Sequence, residues 1–168
     1  TLALVRNLDA EDLAVQSMPD ASPGKWHLAH TTWFFEVMVL QAHAGQAPSR
    51  PEWLALFNSY YDAFGDRHPR PRRGLLTRPP LSGVLDYRAQ VDARINELQQ
   101  QIAQVQEQIA SLEQQRTQQL SQASELDAQA DQQTGEEGLQ TFEQVTNLRN
   151  EAAAHIEQQT LLEAQVAR

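Results

Sequence analysis

Apolar residues recur at helical intervals along most of this chain, and the pattern they make changes partway. Trp26, His30, Trp33, Val37 and Leu40 follow a 4-3-4-3 spacing, the stripe of a helix with one face turned to a core. Ser22 followed by Pro23 predicts where that helix starts, with a hydroxyl cap and then proline at the first helical position. Gly45 predicts its end, just after Ala44. Shorter helical pieces are expected over 2–8 and 10–17, ahead of a turn at Pro19-Asp20-Ala21, and again over 51–64. Ser82 is placed to cap a further helix beginning near Val84.

That further helix carries a longer pattern. Val91, Ile95, Leu98, Ile102, Val105, Ile109 and Leu112 alternate 4 and 3 over three heptads, a coiled-coil seam. The frame fails at Arg116 and Gln119 and restarts at Leu120, as at a stutter. Thr134-Gly135-Glu136-Glu137-Gly138 predicts a turn near 134–138, after which Val145, Leu148, Ala152, Leu162 and Val166 line a second helix. The expected fold is all-α: a helical bundle over residues 1–95 that continues into a long antiparallel coiled-coil hairpin over residues 96–168.

Composition supports the same division. The chain of 168 residues suffices for one domain, or for a small domain with an appendage. All three Trp, all three Tyr and all eight Pro precede residue 88; beyond residue 95 Phe142 is the only aromatic, and Gln becomes the commonest residue. The net charge of -9 is as uneven: residues 1–95 balance ten Lys/Arg against ten Asp/Glu, whereas residues 96–168 hold three Arg against twelve Asp/Glu. That acidity argues against nucleic acid as a partner, because phosphate binding needs concentrated Lys and Arg. No apolar run is long enough for a membrane span, and no leader is read at the start. The absence of cysteine excludes disulfides and thiolate chemistry within the chain, and a cytoplasmic protein is the expectation. A sequence that begins at Thr1 and stops in mid-pattern at Arg168 reads as a fragment. The hairpin, with an apolar stripe and little charge to direct pairing, is expected to make a homo-oligomer.

Three blocks in the first half carry a resemblance. The stretch Ser22-Pro23-Gly24-Lys25-Trp26-His27-Leu28-Ala29-His30-Thr31-Thr32-Trp33-Phe34-Phe35-Glu36 is followed by Leu56-Phe57-Asn58-Ser59-Tyr60-Tyr61. Then comes Arg67-His68-Pro69-Arg70-Pro71-Arg72-Arg73-Gly74-Leu75-Leu76-Thr77-Arg78-Pro79, continued by Tyr87-Arg88-Ala89-Gln90-Val91-Asp92. In this order they resemble the N-terminal DinB-like domain of the ergothioneine biosynthesis sulfoxide synthases. The likeness covers about residues 1–95; the Gln-rich remainder carries no family motif.

The resemblance implies a non-haem iron(II) enzyme that uses O₂ to form a C–S bond on hercynine, with γ-glutamylcysteine or cysteine as the thiol. Three histidines hold the iron in that family, and His30 matches the first. Neutral imidazole suits Fe(II) and leaves positions open for O₂ and a thiolate. The other two come from a His-x-x-x-His-x-Glu helix that this sequence lacks. The nearest string, His155-Ile156-Glu157-Gln158-Gln159, has Gln159 where the second His belongs. The family's substrate-binding arginines map onto Arg70 and Arg73, whose guanidinium forks suit substrate carboxylates. With two ligands and the family's C-terminal domain missing, the expectation is an incomplete DinB-like bundle that binds Fe(II) weakly and is inactive alone. The alternative is a non-catalytic interaction or scaffold protein in which a DinB-like head serves as a packing module.

Overall fold

Tryptophan spacing sets the first core. In the computed structural model of the chain, which describes residues 1–131 and 135–167, Trp26, Trp33, Val37 and Leu40 are all buried in one cluster with Leu13, Phe57, Val84, Tyr87 and Val91. They lie within the unit Thr1–Leu98, one of two compact units of the chain; the other is Gln99–Arg168. There is no strand among the described residues, and the expectation of an all-α chain holds.

In the first unit α1 (Leu2–Val5) and a 3-10 turn (Asp12–Ala14) precede α2 (Gly24–Phe35). The helix starts one residue later than the cap reading predicts. Pro23 takes the capping position, its carbonyl accepting from the His27 amide at 3.1 Å, and the Ser22 hydroxyl is engaged elsewhere. From Glu36 to Gln41 the helix is wound as a π turn, with the Ala42 amide donating to the Val37 carbonyl at 3.0 Å. Gly45 ends it with φ 63°, the left-handed conformation that glycine adopts without strain.

The stretch 51–64 is not one helix. A 3-10 turn (Pro51–Trp53) leads into α3 (Leu54–Phe57), and the chain turns out at Asn58 before another 3-10 turn (Asp62–Phe64). Asn58 is fully buried because its amide replaces backbone partners that the loop lacks. Its Oδ1 accepts from the Tyr61 amide at 3.1 Å, and its Nδ2 donates to the carbonyls of Tyr61 and Gly65 at 3.0 and 3.2 Å. Such side-chain competition for backbone groups is the reason Asn breaks helices.

The last helices are long. α4 (Leu81–Ala130) begins three residues ahead of the predicted start, with the Val84 amide bonded to the Pro80 carbonyl at 3.2 Å, so Ser82 lies inside it rather than capping it. Val84, Tyr87 and Val91 pack into the first core. In the second unit α4 and α5 (Glu136–Val166) run antiparallel: Gln159 bonds Glu113 at 2.9 Å, Gln119 bonds Glu151 at 2.9 Å, and Arg149 pairs with Asp127. The stutter is overturned. Arg116, Gln119, Ala123 and Leu126 keep the covered face of α4 in the frame of Ile102, Val105, Ile109 and Leu112, whereas Leu120 is 47% exposed. The long stems of Arg and Gln cover the seam while their polar ends reach its edge. Glu137 and Gly138 belong to α5; Thr134, in the predicted turn, lies outside the described residues.

Candidate functional site

The basic loop forms a 3-10 turn, Arg70–Leu75, and this winding decides what the two arginines can do. Residues three apart eclipse one another in a 3-10 helix, so Arg70 and Arg73 share a side. Both line a cleft of about 360 Å³ with His27, His30, Trp26, Ser22, Asp20 and the loop residues Ser59 and Tyr60. His30, Arg70 and Arg73, far apart in the sequence, are thus brought together.

Arg73 is the buried member, 3% exposed. Its guanidinium lies over the Trp26 ring, 3.5 Å from the centroid, and its Nη1 donates to Ser22 Oγ at 2.9 Å. Its Nε is buried without a partner among the described residues. Burial, and then the charge of Arg70, brings its pKa down to about 10, which leaves it a cation at neutral pH. Arg70 is more open: it donates to the Tyr60 hydroxyl and lies 5.4 Å from the centre of that ring. The hydrogen bond with Ser59 and then the Arg70 charge hold the Tyr60 phenol below its ordinary range.

His30 is held between Trp26 and Trp33, stacked on each at centroid distances of 4.8 and 5.8 Å. Its Nδ1 donates to the Phe57 carbonyl at 2.7 Å, which leaves the lone pair on Nε2. Burial is the main reason its pKa falls below the ordinary value; Arg73 and His27 add to this, and the bond to Phe57 opposes it. His27, on the exposed rim, is shifted the same way by burial, Arg73 and Arg70. The cleft therefore holds two guanidinium cations, two imidazoles whose pKa values lie below the ordinary one, and one carboxylate, Asp20.

A metal fits this donor set poorly. The Nε2 lone pair of a carbonyl-anchored imidazole is what a ligand needs, but no group of three His, Asp or Glu that could hold a metal ion is present among the described residues. His155 and Gln159 lie on α5 in the second unit, where Gln159 is bonded to Glu113 and Glu163. The described residues do not form an iron site by themselves.

The sequence motifs contain Ser22, His27 and Tyr60 without showing their place in the cleft. Ser22 reads as a helix cap, and only the fold reveals that its hydroxyl serves Arg73. Lys25 is a further surprise, 8% exposed, its Nζ donating to the Leu76 carbonyl at 2.9 Å and anchoring the end of the arginine turn to α2.

No curated protein is similar enough to the chain to count as a match. The family model of the DinB superfamily does match, over residues 1–155, which extends beyond the sequence motifs of the first ninety-five residues to take in α4 and much of α5. The helical elements around α2 and a match over most of the chain lead to one conclusion: this protein belongs to the DinB superfamily.

Proposed function

We propose that the first unit is the substrate-binding part of a synthase of the ergothioneine type, and that it takes up the carboxylate of a γ-glutamyl thiol or of hercynine without carrying out the oxidation alone. The observation that carries this reading is the convergence of Arg70, Arg73 and the His30 imidazole on one cleft. Two guanidinium groups on one side of a turn can grip a carboxylate through parallel N–H donors, and Arg73, already desolvated, gains more from an anion than an exposed arginine would. Iron, as the parent reaction uses it, would supply O₂ activation. His30 offers one ligand position, and the remaining donors would have to come from outside the described residues.

Calorimetric titration of the full chain with γ-glutamylcysteine tests the reading. Saturable binding that Arg73→Met abolishes is expected; binding unchanged by Arg73→Met, or none to the wild-type chain, would overturn it. Anaerobic titration with Fe(II) is expected to show no site of micromolar affinity or better.

A second reading, scaffold or self-association through the hairpin, rests on Leu139, Phe142, Ile156 and Leu161, which are 49–72% exposed along α5. Sedimentation at about 100 μM, well above the micromolar range of stable association, should show a dimer or larger species that Leu139→Asp with Phe142→Asp dissociates. A strict monomer would remove this reading.

A further inference from the structure

One side chain joins three separate pieces of backbone beside the cleft. Gln16 follows the first 3-10 turn, with no helix or strand of its own. Its Nε2 donates to the Ala21 carbonyl at 2.8 Å and to the Arg70 carbonyl at 2.9 Å, and its Oε1 accepts from the Gly74 amide at 2.6 Å. Every hydrogen-bonding direction this amide uses is spent on main chain: once on the segment that leads to Ser22 and α2, and twice on the arginine turn, at each end of the span that carries Arg73.

Gly74 shows how close the approach is. A Cβ built there would lie 2.7 Å from Gln16 Cβ and 2.8 Å from its Oε1, nearer than any real side chain comes, although Gly74 itself is exposed. Only a residue without a side chain lets the turn seat on Gln16. Besides Gln16, the backbone within the turn is met by His68, whose Nε2 donates to the Arg72 carbonyl at 3.1 Å. Lys25 anchors the carbonyls that follow the turn, those of Leu76 and Thr77, and Gln16 alone holds both ends of the span that carries Arg73.

We propose that Gln16 is the positioning residue of the arginine pair: by gripping the Arg70 carbonyl and the Gly74 amide it fixes the turn so that Arg73 stacks on Trp26 and Arg70 reaches the cleft. It touches no ligand. Its role in carboxylate uptake rests on the proposed function above, whereas its control over Arg73 does not. A two-point hold on the backbone suits bidentate recognition, in which both forks must meet one planar anion at once and a small misplacement loses both bonds.

The test uses the full chain and two readouts. The first is the Arg73 side-chain resonance in solution NMR, which the Trp26 ring shifts upfield as long as the guanidinium lies over it. The second is affinity for γ-glutamylcysteine by calorimetry. Gln16→Leu should move the Arg73 resonance toward its free value while the Trp33 indole signal stays put, and should weaken binding about tenfold, the equivalent of one charge-assisted hydrogen bond. Gly74→Ala, which pushes on the same contact from an exposed position, should reproduce both effects and serves if Gln16→Leu does not fold. Gln16→Glu keeps the acceptor for Gly74 and loses both donors, so its Arg73 shift should be intermediate. An Arg73 resonance that remains shifted in Gln16→Leu and in Gly74→Ala overturns the proposal. If the wild-type chain binds no γ-glutamylcysteine, the proposed function falls, and the NMR arm still decides the role of Gln16.

Discussion

The Tyr87 hydroxyl donates to Glu36 Oε2 at 2.6 Å, joining two residues 51 positions apart in the sequence. Glu36 is 1% exposed, and a carboxylate so deep must have all its acceptor sites filled. Its Oε1 accepts from the Ser49 amide and hydroxyl at 2.7 and 2.6 Å and from Arg94 Nη1 at 2.9 Å. Burial and then the carboxylate push the phenol above its ordinary pKa, so it stays a donor at neutral pH. Arg94 also reaches Gln46 Oε1 and the Ala47 carbonyl, so one ion pair ties the end of α2 and the loop beyond it to α4.

Removing Arg94 strands the Glu36 charge in the core. Arg94→Met should destabilise the first unit by about 3–5 kcal/mol, as expected when a buried pair loses one partner. Tyr87→Phe, which removes one donor and leaves three, should cost about 1–2 kcal/mol. Urea unfolding followed by tryptophan fluorescence measures this cleanly, since all three Trp lie in the first unit. Equal losses in the two variants would count against the network as described.

His30 and Trp33 stand three residues apart on α2 and should differ when truncated. Trp33, wholly buried, should cost about 3–5 kcal/mol on change to Ala. His30→Ala forfeits one hydrogen bond and two ring contacts, together about 1–3 kcal/mol. A loss at His30 equal to that at Trp33, read by denaturant unfolding, would make His30 a core residue first and a site residue second.

The lowered pKa values of His30 and His27 give the first unit a pH dependence of known sign. The folded state binds the proton less readily than the unfolded chain, so the stability they confer is complete above the ordinary histidine pKa of 6.5. It is lost as pH falls from there toward the folded value. Unfolding free energies measured from about pH 5 to 7.5 should rise with pH, and His30→Gln should make the rise shallower. A wild-type profile no steeper than that of the variant would contradict the assignment. Binding of an anion should raise both imidazole pKa values and thereby reduce the effect.

Much of this architecture can be read from spacing. The stripe of α2 needs only its 4-3 period, and the length of α4 follows from an apolar pattern that no Pro or Gly interrupts after Gly83. What spacing cannot reveal is competition for backbone groups. Asn58 ends α3 because its amide finds better partners in its own loop, and Ser22 leaves the cap it resembles because Arg73 claims its hydroxyl. The arginines are legible as a pair through the motif; that they share a face with His30 depends on a 3-10 turn which Pro69 and Pro71 make possible but do not announce. The frame through Arg116 and Gln119 is hidden in the sequence because both residues are polar, although their heptad positions fit the seam.

In the second unit His155 offers a test of the opposite sign. It keeps a place on the covered face of α5, with Nδ1 buried and without a partner among the described residues. Replacing a stranded polar group by an apolar one of similar size removes a desolvation cost, so His155→Leu should stabilise the hairpin by about 1–2 kcal/mol. Ile109→Asp on the same seam should destabilise it by more. Helical circular dichroism against urea distinguishes these outcomes, and a destabilised His155→Leu variant would show that the imidazole has found a partner in solution.

The π turn at Glu36 to Gln41 has a consequence for which changes in chain length the head can absorb. A π turn is an α-helix carrying one residue more than its rise requires, so the fold holds a spare register position there. Deleting Met38 would let the turn relax to α winding and absorb the lost residue there, so that the residues after it keep their faces. A deletion in an α-wound stretch instead rotates all that follows by about 100°. A deletion within Gly24–Phe35 would thus turn Glu36 away from Tyr87 and Arg94, whose bonds to it close the polar cluster. Homologous chains that lack a single residue at the π turn should therefore keep Ser49, Tyr87 and Arg94 unchanged, the π turn alone having taken up the difference in length.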